Sequence, residues 1–205
     1  MHLKRTEVRK IVPIERKGTK YVARASNNSR KGIPVVIAIR DMLKLARNVK
    51  EVRLMVADKL LKLNGRDVRD YKEGISIFNI LEADKRYKLT LMKTGRFTLE
   101  ETKEESRIAK VINKKIMKKG LVQINLHDGT NVLSKEKIKV GDSVELDFKN
   151  NIKKILPLEK GKEVFVMSGR SMGNRGKIKE VENKKIRVQL EEREVVLDSS
   201  HIIAI

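Results

Sequence analysis

Apolar positions along this chain follow two periods. Between Ile33 and Arg47 they recur at helical spacing, with Val35, Ile39, Met42, Leu43 and Ala46 on one face of an expected helix. Pro34 falls where a first helical residue would sit, its φ already suited to helix entry. Arg40, Lys44 and Arg47 form a basic stripe on another face. A second helix is expected from about Val49 to Asp58, with Val49, Val52 and Val56 inward and Lys50 and Arg53 on its flank. Then the period drops to two. Leu61 and Leu63 lead into Asn64-Gly65, the strongest short hairpin signal because a type I′ turn needs φ > 0 at both positions. Ile75, Ile77 and the stretch Asn79 to Leu81 supply a further strand, so two helices and a small sheet make a compact α+β module over residues 33–81.

After residue 82 the pattern is β throughout. Tyr87 to Met92 alternates, turns at Thr94-Gly95 and returns through Phe97 and Leu99. Val122, Ile124 and Leu126 run into the Asp128-Gly129 turn and come back at Val132-Leu133; Val140-Gly141-Asp142 opens another strand through Val144, Leu146 and Phe148. Short strands with a turn signal between each pair argue for small barrel-like domains rather than a parallel sheet. The acidic run Glu100 to Ser106 reads as an exposed connector, and the pattern resets around Pro157 to Gly161. The expected organisation is a basic N-terminal arm (1–32), the α+β module (33–81), a central β domain (82–159) and a last β-barrel-like domain (160–205).

Charge adds a partner to this picture. Charged residues make up 37% of the 205, against roughly 25% in ordinary globular chains, and 48 Lys+Arg over 27 Asp+Glu leave a net charge of +21. Self-repulsion on that scale points to a polyanion. The arm is the most lopsided part, with ten Lys/Arg and two acids in residues 1–32. Its turn-rich end, Ser26 to Ser29, makes it an irregular segment: either a solvated tail, or an arm that orders on a phosphate backbone, which its scattered Ile11, Val12, Ile14, Tyr21 and Val22 favour. The opening Met-His-Leu-Lys-Arg lacks the apolar core of a signal peptide, and no run is long enough to span a membrane, so an intracellular, soluble protein is expected.

Chemistry other than binding finds little support. The chain has no Cys and three His, which excludes zinc fingers, disulfide frameworks and cysteine nucleophiles. No His, Asp and Glu share metal-ligand spacing, so neither metal nor cofactor is expected. His127 and Asp128, near Ser134, are the only adjacent catalytic candidates, and Asp128-Gly129 reads more simply as a hairpin turn. Aromatic residues are 3% of the chain, too few to bind single strands by base stacking. Lys and Arg acting on phosphates favour structured RNA, with duplex DNA still open.

Ser168-Gly169-Arg170-Ser171-Met172-Gly173-Asn174-Arg175-Gly176 lies between two strand patterns. Its glycines Gly169, Gly173 and Gly176 serve turn geometry alone, or let a bent loop flanked by Arg170, Arg175 and Lys177 approach another surface. This loop resembles a KOW motif, and residues 33–81 resemble the alpha-L RNA-binding domain. In order along the chain, His2-Leu3-Lys4-Arg5, Pro13-Ile14, Arg16-Lys17-Gly18, Ile33-Pro34, Asp41-Met42-Leu43, the run Asn64 to Lys72, Asn125-Leu126-His127-Asp128-Gly129 and the KOW loop are similar to the archaeal and eukaryotic-type small-subunit ribosomal protein four family.

The resemblance implies a non-enzymatic, cytoplasmic component of the small ribosomal subunit that bridges ribosomal RNA helices. Small-subunit ribosomal RNA and neighbouring ribosomal proteins would be its partners, with no membrane, no small-molecule substrate and no homo-oligomer. The residues expected on RNA are Lys4, Arg5, Arg9, Lys10, Arg16, Lys17, Lys20 and Arg24 of the arm; Arg40, Lys44, Arg47, Arg53, Lys62, Arg66 and Arg69 of the alpha-L module; and Arg170, Arg175 and Lys177 of the KOW loop. The rival readings are a KOW-type transcription or RNA-associated factor, an accessory to an RNA-modifying enzyme, and a winged helix-turn-helix on DNA.

Overall fold

Every strand pairing among the described residues is antiparallel, and sheets dominate the regular structure, as the period-two pattern after Leu61 requires. A computed structural model describes residues 2–27, 32–117, 120–182, 185–191 and 193–205. The chain divides into two units, Met1–Met92 with Arg96–Glu104, and Lys93–Gly95 with Glu105–Ile205. The structure is mostly β with few helices, and no helix among the described residues is long and apolar enough to cross a membrane.

In the first unit, β1 (His2–Lys4) pairs with β2 (Tyr21–Ala23). The expected irregular arm is therefore a closed hairpin over these residues. One side chain holds its long loop: Arg5 donates from Nε to the Thr19 carbonyl (2.7 Å), from Nη1 to the Glu15 carbonyl (2.5 Å) and from Nη2 to Thr19 Oγ1 (3.1 Å). Next come β3 (Gly32–Pro34), α1 (Val35–Ile37), a wider π-helical turn (Ala38–Met42) and α2 (Val49–Ala57).

The expected helix over Ile33–Arg47 is thus shortened at both ends. Pro34 is extended (φ −72°, ψ 147°) and stays in β3, because Ile33 before a proline is pushed out of the helical region and β3 gains pairing with β6 (Gly74–Ser76). At the other end, Leu43 N–H reaches back five residues to the Ala38 carbonyl (2.9 Å) and Lys44 turns left-handed at φ +57°. Val35 to Ile39 are all buried, so this turn is apolar on every side and packs as core. In α2, Asn48 caps by accepting from Glu51 N–H (3.0 Å), while Glu51 Oε2 accepts from Arg47 N–H (2.6 Å).

A five-stranded sheet completes this unit: β4 (Lys62–Leu63), β5 (Arg66–Asp67), β7 (Ile80–Glu82), β8 (Arg86–Leu91) and β9 (Phe97–Glu101), in the order β5-β4-β7-β8-β9. Asn64 (φ +53°) and Gly65 (φ +76°) form the β4–β5 turn as the sequence predicts. Asn64 also locks the turn to β7, donating N–H to the Ile80 carbonyl (2.8 Å) and accepting Ile80 N–H on Oδ1 (2.9 Å). The pairing of β7 with β8 carries this sheet across residue 82, where the sequence pattern puts the start of a central domain.

The second unit holds two antiparallel sheets, each with its own core. One contains β10 (Ser106–Ile116), β11 (Val122–Leu126), β12 (Asn131–Ser134), β13 (Ser143–Asp147) and β14 (Ile152–Leu156), ordered β12-β11-β10-β13-β14. Ala109, Val111, Ile124, Leu126, Val144 and Leu146 fill its interior. The other contains β15 (Glu163–Val166), β16 (Arg175–Glu182), β17 (Lys185–Leu190), β18 (Glu194–Asp198) and β19 (Ile202–Ala204), ordered β18-β17-β16-β15-β19. Val164, Val166, Ile178, Ile186, Val188 and Ile202 form that core. Gly176 in β16 lies so close to β17 that a Cβ there would meet the Gln189 carbonyl oxygen at 2.5 Å.

Polar side chains join the two sheets. Lys110 of β10 is 5% exposed, and its Nζ donates to the carbonyls of Ile202 (2.6 Å) and Ser199. Ser143 Oγ of β13 accepts Ala204 N–H of β19 (2.9 Å). Beneath the β11–β12 turn, the side chains of Arg107 and Asp128 are each 1% exposed and pair at 3.1 Å, and Arg107 Nη2 also donates to Thr130 Oγ1 and Asn150 Oδ1, both at 3.0 Å.

Removing one member of such a buried pair leaves the other charge uncompensated. Arg107→Leu is expected to destabilise the protein by about 3–5 kcal/mol, read as a shift of the urea midpoint at unchanged m-value; a loss below about 1 kcal/mol would match a solvent-exposed pair instead. Gly176→Ala should cost about 1–3 kcal/mol, because the carbonyl it meets belongs to backbone that must move. Hydrogen exchange should place the loosening in β16 and β17.

Candidate nucleic-acid interface

Positive charge gathers in three places, each built by local turns. In the first unit the β1–β2 loop folds into a concavity of about 380 Å³ lined by Arg5, Arg9, Lys10, Arg16 and Arg96, with Glu15 as the one acid. Arg96 is absent from the sequence-derived set; it starts the approach to β9, far from the arm in sequence. Arg5 is partly buried and spends its donors on the loop's own carbonyls, so its part here is to shape the cradle. Lys4, Lys17, Lys20 and Arg24 are exposed on the same hairpin and its continuation, with the Lys20 ammonium 5.4 Å from the Tyr21 ring centroid.

The second place is the helix–hairpin module. Arg40, Lys44 and Arg47 do not form a continuous stripe, because the helix ends before Lys44. Arg40 is clamped to Asp41 through two hydrogen bonds (2.9 and 2.8 Å), which hold its guanidinium more firmly protonated than an ordinary arginine. Lys44 and Arg47 are exposed, and neither side chain has an ion pair among the described residues. Arg66 and Arg69 meet Lys59, also missed from the sequence, around an open concavity between the end of α2 and the β4–β5 hairpin, with Asp67 at its wall. Arg66 is paired with Glu73; Lys62 is exposed on β4. Arg53 lies 4.6 Å over the Tyr71 ring and donates from Nη2 to its hydroxyl (3.0 Å). That bond, with Lys72 nearby, holds the Tyr71 hydroxyl below the usual phenol range.

The third is the glycine loop between β15 and β16. Gly169 (φ +95°) and Gly173 (φ +87°) take conformations that side chains resist, and Gly173 N–H closes the loop on the Val166 carbonyl (2.8 Å). Ser171 is buried and accepts from Arg193 Nη2 on Oγ (3.3 Å), while Asn174 Nδ2 donates to its carbonyl (2.9 Å). Arg170, Arg175 and Lys177 are exposed, with no ion pair among the described residues. Arg175 and Lys177 are two apart on β16 and share one face.

The catalytic candidates are spread over structural duties. His127 Nδ1 accepts Lys110 N–H (3.1 Å), and the His127 backbone N–H donates to the Lys110 carbonyl (2.9 Å). Asp128 holds Arg107, and Ser134 Oγ accepts Glu136 N–H (3.0 Å). Among the described residues no three His, Cys, Asp or Glu side chains are grouped to hold a metal ion.

Comparison with known proteins places the whole chain among ribosomal relatives. The sequence model of the Ribosomal family S4e matches residues 83–152, and that of the KOW motif matches residues 160–191. The chain is 33% identical over 211 residues to the small ribosomal subunit protein eS4 of Methanospirillum hungatei, covering 97% of this chain and 87% of that protein. It is 27% identical over 218 residues to the protein of the same name from Archaeoglobus fulgidus, covering 100% and 93%. In fold it is similar to the crystal structure of the 30S ribosomal protein S4e from Thermoplasma acidophilum, with a TM-score of 0.73 and 24% identity over 85% of this chain and 95% of that one. One-third identity along nearly the whole length, together with the family's own pattern through β8 to β13, makes this chain a member of the ribosomal S4e family.

Proposed function

We propose that this protein is a structural constituent of the small ribosomal subunit in the cytoplasm, where it binds ribosomal RNA and bridges neighbouring RNA helices. In this reading residues 33–81 act as an alpha-L RNA-binding module, the arm and central strands extend it, and residues 160–205 form a KOW barrel with its own RNA contact. Neighbouring ribosomal proteins complete its surroundings. Its work is binding rather than catalysis.

The observation that carries the reading is the exposure of the cations. Of the eighteen Lys and Arg expected on RNA, all but Arg5 and Arg40 are exposed. They stand on separate turns and hairpins in both units, which suits contact with more than one RNA segment. Each phosphate neutralised releases condensed counterions, which makes the affinity steeply dependent on salt.

Two measurements test this. In a lysate of the source cell the protein should sediment with the small ribosomal subunit and stay there at high salt; sedimentation with RNA polymerase or free would overturn the assignment. In filter binding to small-subunit ribosomal RNA, the quadruple change of Lys44, Arg47, Lys62 and Arg69 to Gln should flatten the dependence of log K on log salt. The expected loss is about 0.7–0.9 in slope for each phosphate contact removed. An unchanged slope would take the helix–hairpin face off the RNA.

A further inference from the structure

Neutral amides gather on one face of the sheet around β10. Asn113 of β10, Asn125 of β11 and Asn131 of β12 stand directly opposite one another in the register, and the next row is Lys115, Gln123 and Leu133. Opposed residues in an antiparallel sheet project to the same side. Ile124 and Leu126 point into the core, so Asn125 and its two neighbours point out. A bulge makes this possible. Arg107, Ala109 and Val111 alternate inward along β10, and without an extra residue position 113 would be inward too. The register shift between Val111 and Asn113 leaves Ile112 unpaired and turns Asn113 to the outer face.

Asparagine is a poor strand residue, and neither core nor strand ladder needs an amide at these positions. Asn113 and Asn131 are exposed, and Asn125 and Gln123 are half-buried. The amides are oriented: Gln123 Nε2 donates to Asn125 Oδ1 (3.1 Å), and Asn113 Oδ1 accepts Lys114 N–H (2.8 Å). The amide nitrogens of Asn113 and Asn125 and the whole amide of Asn131 have no protein partner among the described residues.

Phosphate oxygens only accept, and this protein meets them with lysine and arginine. A row of amides that both donate and accept fits groups of mixed character: the 2′-hydroxyls and base edges in the wide, shallow minor groove of an A-form helix. Three residues abreast at a strand spacing of about 4.8 Å make a flat strip roughly 10 Å across, suited to a shallow groove and not to a deep one. No aromatic side chain stands in either row, which argues against an unstacked single strand. Lys115, in the adjoining row, supplies a cation for a phosphate at the rim.

We propose that Asn113, Asn125 and Asn131, with Gln123, form a minor-groove-reading face that docks an A-form ribosomal RNA helix. This rests on the ribosomal RNA-binding function above and specifies the part of the RNA that this sheet meets.

The test uses the full chain with Asn113, Asn125 and Asn131 changed to Thr, a strand former that lacks the amide, and a double change of Asn113 and Asn131 alone. Binding to small-subunit ribosomal RNA is measured across a salt series, with circular dichroism and thermal melting to check folding. Loss of the amide contacts should weaken binding about tenfold at every salt concentration while leaving the salt slope unchanged, since no charge is removed. Lys115→Gln, in contrast, should lower the slope. The preference of the wild type for an RNA duplex over a DNA duplex of the same sequence should shrink in the triple variant. A folded triple variant with unchanged affinity overturns the amide face, and that is also the result if another protein covers it. If the triple variant misfolds, the double variant decides on the same terms. Failure of the wild type to bind ribosomal RNA overturns the function itself, a distinguishable outcome.

Discussion

Repulsion among 48 Lys and Arg is the constraint on which this structure depends, and the 27 acids are placed accordingly. Several acids serve inward or local purposes. Asp128 neutralises the buried Arg107, Asp41 clamps Arg40, and Glu73 takes Arg66. Asp142 accepts the N–H groups of Lys139 (2.9 Å) and Leu158 (3.1 Å), fixing the segment that leads into the second sheet of its unit. Backbone N–H groups hold the carboxyls of Asp147 and Asp198 below their ordinary range, and a hydrogen bond from Lys179 does the same for Glu194. Apart from Glu73 on Arg66, none of these carboxylates pairs with a cation of the β4–β5 hairpin or the glycine loop. The folded protein therefore carries surplus charge on its surface, and a bound polyanion stabilises it by mass action as well as by contact.

Lys110 places a cation where apolar residues would be expected. Its Nζ lies at the seam between two sheets and donates to carbonyls at the end of the chain, while its own backbone is bracketed by His127. An apolar side chain could fill the space but would leave the Ser199 and Ile202 carbonyls without that donor. A buried polar connection is specific where an apolar one slides, because only one arrangement satisfies its donors and acceptors. The two sheets of this unit thus present the glycine loop and the amide row in fixed relation. A bridging protein needs that rigidity, since the distance between its contacts is what it imposes on its partner.

Local chemistry was legible in the sequence and long-range contacts were not. Asn64-Gly65 announced its turn because φ > 0 at two consecutive residues is a demand on residue type. The glycines of the loop between β15 and β16 were readable for the same reason. The helix boundaries failed where local preference met tertiary pairing: Pro34 suits a helix start equally well in isolation, but β6 captures it as a strand. The arm looked irregular because the side chain that orders it, Arg5, bonds to residues ten and fourteen positions away. Arg96 and Lys59 were missed because nothing in their neighbourhoods marks them; only folding brings them beside Arg16 and Arg69. The Asn-Leu-His-Asp-Gly run was a recognisable signature whose duty stayed hidden, since Arg107 and Lys110, the groups it holds, lie one strand earlier.

That run also links stability to recognition. Asp128 and His127 secure the β10–β11 pairing from the side of the turn, through Arg107 and the Lys110 backbone. The same pairing carries the bulge that turns Asn113 outward against Asn125. A shift of one residue in this register would send the asparagines into the core and expose Ile124 and Leu126, so the buried pair and the outward amides cannot vary independently. Scarce aromatic residues leave little scope for base stacking, and lysines alone hold any phosphate backbone nearly alike. Discrimination among RNA surfaces then falls to neutral groups fixed on a rigid sheet, and the strands around β10 are where the buried charges of this protein supply that rigidity.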